Sequence, residues 1–184
     1  MDIQIKKYQK LNDFALKNGV VLFGEGVDTD IPASELAQSF ELDCPIYNRS
    51  FLELNLENSI ALYDSCIENL MPDTVLLHIG TNDLTFFNEN KVAFEQKYIA
   101  LIEHIKATDK KCRIIVVSIN NEIINQELKY IADSTQCEFV DISSIRVWNP
   151  QATKNVTTFV QTMGIGRYCK NKPIYDISKI LFCY

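Results

Sequence analysis

With 184 residues, 47% of them hydrophobic, the chain can bury one two-sided core and is too apolar to remain disordered. A formal net charge of −6 gives no electrostatic reason to bind nucleic acid or an anionic membrane, since both call for clustered Lys and Arg. No apolar run approaches the ~20 residues of a membrane span, and Met1–Lys7 has no apolar stretch leading to a small-residue cleavage site, so a cytoplasmic location is expected.

Ile5, Tyr8, Leu11, Phe14 and Ala15 recur at helical spacing and predict a helix over residues 4–17, closed by Asn18-Gly19. Val20–Phe23 is a short unbroken apolar run ending in glycine, the pattern of a strand covered on both faces. The polar loop Gly24–Asp30 follows, and Pro32 opens a helix over Ala33–Phe40. Pro45–Asn48 reads as a second strand, and Leu56–Leu70 as a helix closed by Met71-Pro72-Asp73. Thr74–Ile79 is the third strand, ending in Gly80-Thr81-Asn82-Asp83. A long helix over Lys91–Thr108 carries Phe94, Tyr98, Leu101, Ile102 and Ile105 on one stripe. Arg113–Ser118, Glu122–Ser134 and Glu138–Asp141 continue as strand, helix and strand, and residues 145–184 hold one or two further helices.

Five short apolar strands separated by helices predict a three-layer α/β/α sandwich over residues 1–184, a single domain. Its sheet is expected to be flavodoxin-like and parallel, in the order 2-1-3-4-5. The six cysteines include no Cys-x-x-Cys pair, and with two histidines in the chain no zinc site is indicated. Free buried thiols are expected throughout.

In such a sheet the ligand crevice forms beyond the carboxyl ends of the strands where strand order reverses, here between strands one and three. That places Gly24–Asp30 beside Gly80–Asp83. Each loop alone can be read as strand-ending glycines and helix-capping Asn or Asp. Their joint position at one switch point marks a site.

Phe23-Gly24-Glu25-Gly26, Asn48-Arg49-Ser50 and Leu77-His78-Ile79-Gly80-Thr81-Asn82-Asp83 occur in this order over roughly residues 20–145. The set resembles the SGNH or GDSL hydrolases, which carry Gly-Asp-Ser, an Asn-Arg-Gly-type turn, Gly-x-Asn-Asp and a late Asp-x-x-His. The resemblance implies acyl-ester hydrolysis, with a serine nucleophile, a histidine base and an oriented aspartate. It also implies oxyanion-type donors at the Gly26 N–H, the Ser50 N–H and the Asn82 side chain.

The departures bear on activity. Gly26 stands at the nucleophile position, so the serine hydroxyl is lost; Glu25 replaces an aspartate, and Ser50 replaces a glycine. No histidine follows His104, and Asp176-Ile177-Ser178-Lys179 carries a lysine where the late histidine belongs. His78 reads as a satisfied core histidine and His104 as a surface residue. Thr29 and Ser34, the hydroxyls nearest the first loop, have no base assigned to them.

The expected function is a non-catalytic relative that binds a small acyl or carbohydrate-like ligand, or a protein partner. Gly26, Ser50, Asn82 and Asp83 would form its centre, with Gly24, Glu25, Asp28, Asn48 and Gly80 contacting the ligand. The alternative is a weak or unusual hydrolase in which Glu25, Asp28, Asp30 or Asp83 activates water directly or through a bound Mg²⁺. A nucleotide-binding domain is disfavoured because Gly24-x-Gly26 lacks the third glycine of the fingerprint. No cofactor, nucleic-acid or membrane partner is implied. Trp148, Tyr168, Tyr175, Phe182 and Tyr184 read as a core-closing segment, with docking onto a second subunit an open alternative.

Overall fold

The apolar runs form strands β1 (Val20–Gly24), β2 (Ile46–Asn48), β3 (Thr74–His78), β4 (Arg113–Val117) and β5 (Glu138–Val140). All pair in parallel in the order β2-β1-β3-β4-β5, the order expected from the sequence. The computed structural model describes residues 1–39 and 44–142. The expectations for Phe40, the 145–184 helices, Asp176–Lys179 and the late aromatic residues Trp148, Tyr168, Tyr175, Phe182 and Tyr184 lie outside the described residues.

Around the sheet lie α1 (Asp2–Asn12), α2 (Ala33–Ser39), α3 (Ser59–Cys66), α4 (Leu84–Glu89), α5 (Lys91–Thr108) and α6 (Glu122–Ser134), giving a three-layer α/β/α fold. Every residue of β1 is buried, as befits a strand with neighbours on both edges and cover on both faces. The core runs from Phe23 and Leu77 on the sheet to Tyr63 on α3 and to Phe94, Tyr98 and Ile102 on α5. Burying each such side chain contributes roughly 1.5–3 kcal/mol. The Phe87 ring of α4 meets the Phe94 ring edge-on at 5.1 Å and Phe86 packs tilted against the same ring at 6.5 Å, so two aromatic contacts anchor the short α4.

Three elements differ from the sequence reading. The first helix ends at Asn12 rather than Lys17, and Phe14 and Leu16 are left 89% and 71% exposed. The apolar stripe ran on past the end because Phe14 and Ala15 happen to keep its spacing. Asn18 does turn the chain, with φ +63°, but well after the helix has ended. The third expected helix, Leu56–Leu70, starts later, at Ser59, because the Leu56 N–H donates to the Asp83 carboxylate and Asn55 and Asn58 exchange side-chain caps. It also breaks after Cys66 into a 3-10 turn, Glu68–Leu70. Helix α4 was not anticipated.

Cys66, Cys112 and Cys137 are free thiols, whereas Cys44 is disulfide-bonded, which corrects the expectation of free thiols throughout. Among the described residues no helix is long and apolar enough to cross a membrane.

Candidate functional site

The chain leaves β1 toward β2 on one side and returns as β3 on the other, which makes the tips of β1 and β3 the switch point of the sheet. Glu25 extends β1, and Gly26 turns the backbone with φ +58° into a 3-10 turn over Gly26–Asp30. Among the described residues, a side chain grown on Gly26 would meet nothing within 4 Å. The turn folds Asp28 back over Gly24, where a Cβ would lie 2.0 Å from Asp28 Oδ2. Gly24 is therefore required by the Asp28 side chain and not merely by the end of a strand.

Gly24 and His78 are register partners on β1 and β3, and Asp28 Oδ2 lies 2.6 Å from His78 Nδ1. Both side chains are largely buried, at 3% and 13% exposure. Burial disfavours the charged imidazole. The Asp28 charge and hydrogen bond, the Glu25 charge and a hydrogen bond to the Ser118 backbone outweigh it, and the His78 pKa is raised. The Asp28 partner orients the ring and favours its protonated form. The sequence reading treated Asp28 as a ligand contact and His78 as an unrelated core residue; the structure brings them together.

Glu25 performs a second joining task. Its Oε1 accepts the Gly80 N–H at 2.9 Å and the Thr81 N–H, while Oε2 accepts the Asn82 N–H at 3.0 Å. One carboxylate thus fixes the whole Gly80–Asn82 loop. Burial raises its pKa, and the Asn82 and Thr81 hydrogen bonds and the His78 charge oppose the rise. Asp83, also buried, receives the Leu56 N–H on both oxygens at 3.2 and 3.1 Å. Burial, with the Glu25 charge adding to it and the Leu56 bond and Lys97 opposing, lifts its pKa to about 6.

The turn after β2 is equally tied down. Asn48 Nδ2 donates to the Asp28 and Ile31 carbonyls at 2.5 and 3.0 Å, and its Oδ1 accepts the Ser50 N–H at 2.9 Å. The Ser50 hydroxyl accepts the Gly24 N–H at 3.1 Å. Buried Arg49 donates to Asn12 Oδ1 and the Asn48 carbonyl and stacks over the Tyr8 and Tyr47 rings. Two of the three expected oxyanion donors are consequently directed into the protein: the Ser50 N–H to Asn48, and Asn82 Nδ2 to the Leu52 and Leu54 carbonyls at 3.0 and 2.7 Å. The third, the Gly26 N–H, lies at the isolated parallel bridge that pairs Glu25 with Phe51. Val27 and Leu52, 59% and 65% exposed, form an apolar lip beside it.

Thr29 Oγ1 donates to the Gly26 carbonyl at 2.9 Å, and His104 pairs with Asp64 at 2.6 Å on the exposed side of α5. Glu25, Asp28 and Asp83 each serve a different internal partner, and among the described residues no three His, Cys, Asp or Glu side chains gather to hold a metal ion. The signal that could have revealed the Asp28–His78 pair was the register of β1 against β3, which is a long-range property.

No protein-family model and no curated protein matches the chain. Solved structures do. A protein provisionally assigned as a platelet activating factor from Streptococcus pneumoniae superposes with TM-score 0.67 at 20% identity, covering 82% of this chain and 78% of that one. A GDSL-like lipase from Bacteroides thetaiotaomicron gives 0.61 at 17% identity, covering 79% and 81%. A catalytic mutant of an acetylxylan esterase from Geobacillus stearothermophilus gives 0.54 at 18%, covering 75% and 84%. The fold is that of the SGNH/GDSL hydrolases.

Proposed function

We propose that this protein is a non-catalytic relative of the SGNH hydrolases, whose strand-tip crevice binds a small acyl-type ligand or a protein partner without turning it over. The observation that carries the reading is Gly26: the nucleophile position bears no hydroxyl, and among the described residues nothing lies within 4 Å of a side chain grown there. Neither histidine supplies a base there. His78 is paired with Asp28, and His104 is paired with Asp64. A triad stripped of its nucleophile or base typically retains ~10³–10⁴-fold catalysis over water, too little for a working esterase. The exposed apolar side chains of Val27 and Leu52 suit the apolar chain of an acyl group.

The second reading, carboxylate-activated water, draws on the raised pKa values of Glu25 and Asp83. It is the weaker one, because both carboxylates already accept backbone N–H bonds. The test is Gly26→Ser, which restores the hydroxyl. The variant is expected to remain unlabelled by a serine-directed fluorophosphonate and to hydrolyse short acyl esters at the buffer rate. Labelling at Ser with ester turnover would show that a base is present after all.

A further inference from the structure

Between the first turns of α6 and the carboxyl ends of β4 and β5 lies a cavity of about 430 Å³ that shares no residue with the crevice over Gly26. Part of its wall is fixed. Buried Asn125 holds both ends of the Ile119 peptide group, accepting its N–H at 2.8 Å and donating to its carbonyl at 2.7 Å. Asp141 accepts the Ser118 hydroxyl at 3.1 Å.

The rest of the lining is unoccupied chemistry. Asn121 Oδ1 caps α6 by accepting the Ile123 and Ile124 N–H groups, both at 3.1 Å, which leaves its amide N–H bonds without a partner among the described residues. The side chains of Asn120, Glu122, Gln126 and Lys129 likewise make no hydrogen bond or ion pair among the described residues. Phe139 presents a half-buried ring to the same space.

The balance of these groups selects a ligand class. Side-chain amides offer a donor and an acceptor at fixed spacing, which matches adjacent hydroxyls that each donate and accept. An aromatic ring offers an apolar face to the C–H face of a pyranose. Glu122 and Lys129 contribute one charge of each sign, so the lining has no positive excess to draw an anion, and its polarity disfavours a hydrocarbon. The volume lies within the ~300–1,000 Å³ of small-molecule sites. We propose that this cavity binds a neutral carbohydrate, a mono- or disaccharide seated on Phe139 with its hydroxyls bonded to Asn120, Asn121 and Gln126. The proposal stands independently of whether the Gly26 crevice is catalytic.

The test is an NMR titration of the full ¹³C,¹⁵N-labelled chain with glucose, xylose, galactose, cellobiose and maltose. Saturable shifts of the Asn120 and Gln126 side-chain amides and of the Phe139 ring are expected for at least one sugar. Gln126→Ala and Asn120→Ala, both at exposed positions, should each weaken that binding by about tenfold while leaving the thermal midpoint unchanged. The proposal is overturned if the folded protein shows no saturable shift with any of these sugars. It is equally overturned if the two substitutions leave the affinity intact, or if inorganic phosphate or a free amino acid saturates these signals in place of the sugars.

Discussion

Asp83→Asn should make the protein more stable at neutral pH. The Asp83 side chain belongs to a residue 5% exposed, receives the Leu56 N–H on both oxygens and lies in the field of Glu25. Burial lifts its pKa from 3.8 to about 6. That displacement is worth about 3 kcal/mol between the two protonation states. The folded pKa lies above the unfolded one, so the folded chain holds this proton more tightly. Its stabilising contribution is complete below pH 3.8 and is lost as the pH rises through about 6. Asparagine keeps an oxygen for the Leu56 N–H and removes the charge. Urea denaturation followed by circular dichroism should therefore give equal stabilities at pH 4 and a variant about 1–3 kcal/mol more stable at pH 7.5. A variant that is no more stable at pH 7.5, or a difference that does not change with pH, would refute the assignment of a strained buried carboxylate.

Glu25→Ala removes the acceptor of the Gly80, Thr81 and Asn82 N–H groups, and thermal or urea denaturation should show a loss of about 2–4 kcal/mol. Glu25→Gln keeps one acceptor oxygen and should lose less; equal losses would mean that the carboxylate is not what fixes the loop. The His78 ring should titrate by NMR above 6.5, and Asp28→Asn should bring the midpoint down. Because that folded pKa is raised, the pair stabilises the protein fully below pH 6.5 and the contribution is lost as the pH rises through the folded value. An unchanged midpoint in Asp28→Asn would remove the ion pair from the account.

The sheet was legible because buried parallel strands leave a mark that needs no partner to be read: Val20–Phe23 and Val75–Leu77 are unbroken apolar runs within segments bounded by glycine or proline. Helix ends were less so. Phe14 continues the apolar spacing of α1 yet lies 89% exposed, since the stripe measures spacing and not contact. The proximity of the two strand-tip loops was legible, and their wiring was not. Gly24, Glu25, Gly26, Asn48, Ser50 and Gly80–Asp83 do converge at the tips of β1 and β3. What they bond to depends on positions remote in sequence: Glu25 on Gly80–Asn82, Asn82 on Leu52 and Leu54, Asp28 on His78. Motif matching places a donor, whereas only the fold shows where its proton points.

The central claim, that the fold persists with its hydrolytic centre silent, is tested most directly by the turnover of p-nitrophenyl acetate and butyrate by the purified full chain near pH 7.5. The account predicts a rate equal to buffer and unchanged by Asp28→Asn or Asp83→Asn. Turnover at enzymatic rates, with kcat/KM of about 10⁴ M⁻¹s⁻¹ or more and lost on either substitution, would contradict it.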